Sequence, residues 1–324
     1  MTRLNEFEDV LNSLLHIRNV DIYVTGSNSK FLSSDVITQF RGRGDEIHVY
    51  PLSFLEYTSA CQGTLEEAWD DYLVYGGLPL ILSMEAQEDK AEYLRSLFQK
   101  VYISDIVEHH SVRNKAELDE LVDVLASAIG SYTNQNKLAK TFKSTKGKTI
   151  SDKTIKNYID YLIDSFLISK ATRYDIKGRK YIGSPSKCYF EDVGLRNARL
   201  GFRQVEPTHL MENVIYNELR IRGYHVDVGV VEHYATNEDG KRGKKQLEVD
   251  FVATRGSEKY YLQSAFAMPT ADKMDQERRS LLSIPDSFRK MIIVGDNIKV
   301  RRDENGIITV GLRNFLLDKD SLKL

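Results

Sequence analysis

The spacing of hydrophobic positions changes several times near the N-terminus. Apolar residues recur at helical spacing over residues 5–16, which predicts an amphipathic helix. A short apolar run at 20–24 predicts a buried strand, and a second run at 47–52 predicts another strand that meets a proline. Between them, a polar break precedes an amphipathic segment that predicts a helix near 30–40. Strand, polar tip and helix in this order are typical of an α/β fold.

A largely helical stretch follows. Ser53 is predicted to cap a helix because Glu56 stands three residues later, which is the spacing of a capping box. Helical periodicity then continues over residues 64–130. The run Tyr75–Pro79, with two glycines and a proline, predicts a tight break within it.

Residues 132–193 change character and predict two helices followed by a β-hairpin. The predicted elements are a short helix at 138–142, a basic turn at 143–148, a helix at 151–162, a strand from 166, a turn at 178–180 and a return strand at 187–190. Helix, turn, helix and hairpin is the order of a winged helix-turn-helix.

The last part of the chain predicts an α/β unit. Its predicted elements are a helix at 209–222, strands at 224–234, 247–254 and 258–266, a helix at 271–283, a strand at 290–294 and a terminal helix at 311–317. The first of these helices is expected to end at Gly223, since glycine commonly follows the last helical residue.

Composition narrows the classes of function. The 324 residues carry a net charge of −2, so attraction to nucleic acid requires a local basic patch. Apolar runs are too short for a membrane span, and no signal peptide is apparent, so a cytoplasmic protein is expected. Cys61 and Cys188 lack companion ligands and are interpreted as reduced core thiols.

The first candidate site lies within residues 21–44. Asn28 follows the predicted strand, and Arg41 and Arg43 follow the predicted helix. P-loop ATPases use this order to bring a polar sensor and an arginine to the γ-phosphate. The local residues also allow a plain turn at Asn28 and two solvated arginines.

Several motifs together resemble one family. The blocks 41–44 (RGRG), 51–57 (PLSFLEY) and 75–79 (YGGLP), then 212–224 (ENVIYNELRIRGY) and 247–253 (LEVDFVA), are similar to prokaryotic AAA-like P-loop ATPases with a C-terminal DUF4143 region. The resemblance implies that Asn28 is a sensor and that Arg41 and Arg43 are arginine-finger-like residues. It also implies ATP and Mg²⁺ as cofactors of the family.

The phosphate loop of that family is missing. No Gly-x-x-x-x-Gly-Lys-[Ser/Thr] occurs in this chain, nor does a strand that ends in adjacent acidic residues for Mg²⁺. The sequence therefore resembles an ATPase without its nucleotide-binding half, and we expect no cofactor and no ATP hydrolysis for this chain alone. A separate upstream polypeptide and a truncated gene are both compatible with this pattern.

The second candidate site is the predicted winged helix. Lys153 and Lys156 stand on its recognition helix, and Arg179 and Lys180 stand on its wing, where they would contact DNA phosphates. The same helix carries three acidic residues that repel DNA: Asp152, Asp160 and Asp164. The alternatives are therefore an interaction module without DNA binding and a solvated basic face.

The third candidate site is in the last unit. The resemblance implies a PD-(D/E)xK nuclease-like fold, in which Glu218 and Asp250 would bind metal and Gln263 would fill the second acidic position. Gln263 is neutral, and Ala265 stands where the catalytic lysine is required. A degenerate nuclease fold is therefore expected, with an active metal-dependent nuclease as an alternative.

The expected fold is a multi-domain α/β protein. Its parts are a remnant of the ATPase core at 1–60, a helical lid-like region at 61–130, a winged helix-turn-helix at 131–205 and a nuclease-like domain at 206–324. The leading hypothesis is a DNA- or partner-binding module, and a protein-interaction scaffold is a further alternative. Expected partners are DNA, an upstream ATPase half or a second copy of the chain, and no membrane.

Overall fold

A computed structural model describes residues 7–25, 45–146, 150–236, 242–267 and 271–324. The first part of the chain is helical. Its elements are α1 (Phe7–Leu14), α2 (Phe54–Ala60), α3 (Leu65–Tyr75), a 3-10 helix (Pro79–Ser83), α4 (Gln87–Leu97), a π-helix (Phe98–Ile103), α5 (Ser104–His109) and α6 (Lys115–Ser127). None of the described helices combines the length and the apolar character that crossing a membrane requires.

The two strands predicted near the N-terminus are wrong. Residues 20–25 and 45–50 have no regular secondary structure. Tyr23 is 84% exposed, so the first run is not buried as predicted, and Val49 in the second run is 86% exposed. An apolar run becomes a strand only when another strand satisfies its backbone groups, and the described residues pair no strand with either run.

The predicted capping box is confirmed at the start of α2. Ser53 Oγ accepts a hydrogen bond from the Glu56 N–H, and the Glu56 carboxylate accepts one of 2.9 Å from the Ser53 N–H. A second capping box, Thr64 with Glu67, lies at the start of α3 and was not predicted from the sequence. Both boxes satisfy N–H groups that a helix start leaves without partners.

The helices and strands in the middle of the chain are longer than predicted. They are β1 (Tyr132–Thr133), α7 (Gln135–Lys146), α8 (Asp152–Asp164), β2 (Ile168–Asp175), β3 (Lys180–Phe190) and α9 (Val193–Arg199). Strand β3 pairs antiparallel with both β1 and β2. Ser151 caps α8 through its hydroxyl, which accepts a hydrogen bond of 3.0 Å from the Thr154 N–H.

The last part follows the predicted order closely. Its elements are α10 (Pro207–Ile221), β4 (His225–Thr236), β5 (Arg242–Arg255), β6 (Glu258–Ala265), α11 (Ala271–Leu282), β7 (Arg289–Val294), β8 (Arg301–Arg302), β9 (Ile308–Gly311), α12 (Leu312–Leu317) and a 3-10 helix (Ser321–Lys323). Gly223, with φ of 81°, follows α10 as expected.

All nine strands of the described part form one mixed sheet, in the order β1-β3-β2-β4-β5-β6-β7-β9-β8. The β2–β3 hairpin joins the C-terminal strands because β2 pairs parallel with β4. The α/β class expected from the sequence is therefore confirmed as a mixed α/β fold. The sequence did not indicate that hairpin and C-terminal strands would share one sheet.

The C-terminal strands are covered on both faces. In β7, Met291 and Ile293 belong to the larger core, which also contains residues of α10. Ile292 and Val294 belong to a second core with Leu281 of α11. Alternate residues of a strand point to opposite faces, so α10 and α11 lie on opposite sides of the sheet.

Candidate functional site

The residues predicted to act as ATPase sensor and arginine finger fall in the N-terminal region. Asn28, Arg41 and Arg43 lie outside the described residues, as does the helix predicted near 30–40. Their roles therefore remain predictions.

A buried group of charged side chains lies where β3, β5 and α10 meet. The Lys187 ammonium on β3 lies 2.8 Å from Glu212 on α10 and 2.6 Å from Glu248 on β5. Tyr189, two residues along β3, donates a hydrogen bond of 2.6 Å to the same Glu212 carboxylate. We call Lys187, Glu212, Glu248 and Asp250 the Lys187 cluster.

A β-bulge adds Asp250 to this cluster. Gly229 pairs with Val249 and Asp227 pairs with Val252, so β5 has one residue more than β4 between these two pairs. Bulges of this kind change the direction of a side chain. The Asp250 carboxylate is buried and accepts a hydrogen bond of 2.7 Å from the Ser264 N–H.

Burial and neighbouring charges shift the pKa values of Lys187 and Asp250. Burial and the neighbouring Glu212 raise the pKa of Asp250 well above its usual value, while Lys187 opposes them. Burial tends to lower the pKa of Lys187, but Glu212, Asp250 and Glu248 outweigh it and hold that pKa above its usual value. Lys187 is therefore a protonated ammonium that pairs with the Glu212 and Glu248 carboxylates, and the raised pKa of Asp250 favours its protonated form.

The structure separates the residues that the nuclease pattern grouped together. The Gln263 amide oxygen lies 3.4 Å from the Asp250 N–H and 3.4 Å from the hydroxyl of Ser280 on α11, so its side chain turns toward α11. Ala265 is buried in the core on that same side. Asp250 instead interacts with Glu212 on α10, and α10 lies on the opposite side of the sheet from α11.

Glu218 has a different partner from Asp250. Its carboxylate accepts a hydrogen bond of 2.6 Å from Arg222, one turn later on α10. The Arg222 guanidinium also donates to the Phe315 carbonyl and to Ser321. Burial raises the pKa of Glu218, and Arg222 partly offsets this. Glu218 thus holds Arg222, and Arg222 joins the end of α10 to the C-terminal segment.

The cluster does not fit the Mg²⁺ that the resemblance implies. Mg²⁺ needs open carboxylate oxygens, whereas the ammonium of Lys187 already contacts Glu212 and Glu248. Within the described ranges, no group of three or more histidine, cysteine, aspartate or glutamate side chains is arranged to hold a metal ion. No local sequence signal indicates that Glu212 on α10 and Glu248 on β5 meet Lys187 on β3, because these contacts join elements that are distant along the chain.

The predicted DNA contacts on α8 lie on its outer face. Lys153 and Lys156 are exposed, while Ile155 and Leu162 are buried on the opposite side. Asp152 and Asp160 are also exposed, so the outer face of α8 carries both signs of charge.

The predicted wing contacts lie on a turn that is fixed to the sheet. Arg179 and Lys180 are exposed. Just before them, the Ile176 N–H donates a hydrogen bond of 3.0 Å to the Val230 carbonyl, and the Ile176 side chain is buried in the second core. The start of the turn is therefore attached to the sheet through Ile176.

Known proteins resemble this chain over most of its length. An uncharacterized protein of Haemophilus influenzae is 33% identical over 316 residues, which cover 96% of this chain and 74% of that protein. The chain belongs to the family of this protein. An uncharacterized protein of Methanocaldococcus jannaschii is 28% identical over 293 residues, which cover 86% of this chain and 62% of that protein.

Two family models match separate regions. Residues 1–58 match the model described as an AAA domain, so the N-terminal region is AAA-like. Residues 66–206 match a domain of unknown function, DUF8612, whereas the sequence resemblance implied a DUF4143 region. The crystal structure of protein VC1899 from Vibrio cholerae is also similar, with a TM-score of 0.26 and 14% identity, covering 86% of this chain and 62% of that one.

Proposed function

We propose that this chain is the nucleic-acid-binding part of an AAA-like ATPase system. The AAA domain match of residues 1–58 supports the ATPase ancestry. The chain contains no phosphate loop, and backbone N–H groups with a lysine supply most of the nucleotide affinity in P-loop proteins. ATP binding would therefore need residues that this sequence does not contain.

One observation carries the DNA-binding proposal. Helix α6, strand β1, helices α7 and α8 and strands β2 and β3 follow one another, and β1 pairs antiparallel with β3. This is the order expected of a winged helix-turn-helix, in which α8 is the recognition helix. Lys153 and Lys156 are then the side chains that reach DNA, with Arg179 and Lys180 beside the duplex.

The test is duplex DNA binding by fluorescence anisotropy with paired variants. Lys153→Ala with Lys156→Ala should weaken binding at least about tenfold, since each lysine that contacts a phosphate adds a salt-sensitive increment of affinity. Lys299→Ala with Lys319→Ala removes two exposed lysines far along the chain and should leave affinity unchanged. Equal affinity of both double variants would refute the role of α8, and absence of binding by the native chain would favour a scaffold.

A metal-dependent nuclease is the second candidate. It is favoured by the order α10-β4-β5-β6-α11-β7, which follows the PD-(D/E)xK arrangement that the sequence resemblance implied. The ammonium of Lys187 and the orientation of Gln263 count against catalysis. Plasmid DNA with Mg²⁺ or Mn²⁺ should therefore stay intact, and cleavage that disappears in Asp250→Ala would establish the nuclease.

A further inference from the structure

Helix α7 carries a row of lysines that the proposed winged-helix contacts do not use. Lys137, Lys140 and Lys143 are all exposed, and Leu138 and Phe142 are buried. At about 100° per residue, the three lysines span an arc of about 120° that is centred opposite the two buried side chains. They therefore form one continuous outer face, which we call the α7 lysine face.

The positive charge of this face is not neutralised by its own helix. Residues 135–146 contain four lysines and no acidic residue. Within the described parts of the chain, no carboxylate forms an ion pair with Lys137, Lys140 or Lys143. Helix α8 differs, because Asp152 and Asp160 share its outer face with the lysines there.

The chemistry of the face favours a polyanion over a protein. Asn136 and Ser144 are its other exposed residues, so it offers no aromatic or aliphatic side chain. Protein interfaces draw most of their binding energy from buried aromatic and arginine anchors. A row of flexible ammonium groups, about one per helical turn, matches instead the regular charges of a nucleic-acid backbone.

We propose that the α7 lysine face binds the phosphate backbone of double-stranded DNA, independently of base sequence. This rests on the proposed function of α8, because α7 packs directly against that helix. In this arrangement α7 supplies most of the electrostatic affinity for DNA. Helix α8 contributes less, because its outer face carries both positive and negative charges. Helix α7, which the sequence predicts only as a short helix beside a basic turn, is then the principal anchor on DNA.

The test compares the salt dependence of DNA binding in two variants of α7. The variant Lys137→Ala, Lys140→Ala, Lys143→Ala keeps good helix-forming residues, and its thermal melt by circular dichroism should match the native one. Loss of three phosphate contacts should lower the magnitude of the slope of log Kobs against log salt by about 2 to 3. The control Asn136→Ala with Ser144→Ala changes the same face without changing its charge and should keep the native slope.

The outcomes separate this inference from the proposed function. An unchanged slope in the triple variant, with native DNA binding intact, would overturn the inference and leave the α8 proposal standing. Failure of the native chain to bind DNA at any salt concentration would overturn both. If the triple variant loses binding to phosphatidylserine vesicles that the native chain shows, while its DNA binding equals that of the native chain, the face binds a membrane surface and the inference is overturned.

Discussion

The Asp192 carboxylate accepts a hydrogen bond of 2.7 Å from the backbone N–H of Gly77, although 115 positions separate the two residues. Its other oxygen accepts one of 3.0 Å from the Leu195 N–H and so caps α9. This single buried carboxylate joins the helical part of the chain to the segment that follows β3. The break predicted from Tyr75–Pro79 is thus a contact site between two distant parts of the protein.

Asp192 should make stability depend on pH. Burial raises its pKa to about 6, against the stabilising hydrogen bonds from Gly77, Leu195 and Gly194. The folded state therefore binds this proton more tightly than the unfolded state, whose pKa is 3.8. The contribution of Asp192 to the unfolding free energy is full below about pH 4 and falls by up to about 3 kcal/mol as pH rises through 6.

The comparison with Asp192→Asn checks this. The amide cannot ionise, so the difference in unfolding free energy between native and variant protein should change between about pH 4 and 6 and be constant above that range. Urea unfolding at a series of pH values measures it. A difference that stays constant across this range would show that Asp192 has an ordinary pKa.

The close approach between α9 and α3 should not tolerate a methyl group. A Cβ at Gly194 would lie 2.0 Å from the Tyr75 carbonyl oxygen, which belongs to the backbone. Gly194→Ala should therefore destabilise the fold by about 3 kcal/mol or more, since backbone must move to accommodate it. Gly183→Ala is the matched control, because nothing lies within 4 Å of its Cβ. Equal melting temperatures of the two variants would contradict the described packing.

Lys187 should be essential for stability rather than for catalysis. Its side chain is 5% exposed, and removing its charge leaves Glu212 and Asp250 buried without a cation. Lys187→Met should cost about 3 to 5 kcal/mol of unfolding free energy. Lys180→Met, at the exposed end of the same strand, should change stability by less than about 0.5 kcal/mol.

A metal titration of the Lys187→Met variant adds a second readout. Three carboxylates then lack their cation, so Mn²⁺ should raise the melting temperature of this variant and leave that of the native protein unchanged. A rise in the native protein as well would mean that the cluster binds metal despite Lys187, and the nuclease alternative would gain support.

Glu218 should act through Arg222 and not through a metal. Glu218→Gln weakens a buried charged pair, while the Arg222 bonds to Phe315 and Ser321 remain. We expect a loss of about 2 to 3 kcal/mol, measured by urea unfolding, with no change in DNA binding. Reduced DNA binding in a fully folded Glu218→Gln protein would contradict this.

Local signals in the sequence predicted much of the fold. The capping box of Ser53 with Glu56 and the glycine after α10 depend on residues a few positions apart, and both are present. The strands at 20–24 and 47–52 were wrong because a strand needs a partner, which no local pattern supplies.

The candidate site was less predictable, since it depends on distant pairing. Lys187 meets Glu248 although β2 and β4 stand between their strands in the sheet order, and a β-bulge lies at Asp250. The nuclease pattern pointed to Glu218, whereas α10 presents Glu212 to Asp250. A helix period cannot distinguish these two carboxylates until the face that meets the sheet is known.

The central claim is tested most directly by titrating the native chain onto a labelled DNA duplex at salt concentrations of roughly 50 to 200 mM. We predict binding to duplexes of unrelated sequence, with log Kobs falling linearly as log salt rises. The slope should be negative, with a magnitude of about 3 or more. No binding at the lowest salt, or an affinity that does not change with salt, would contradict it.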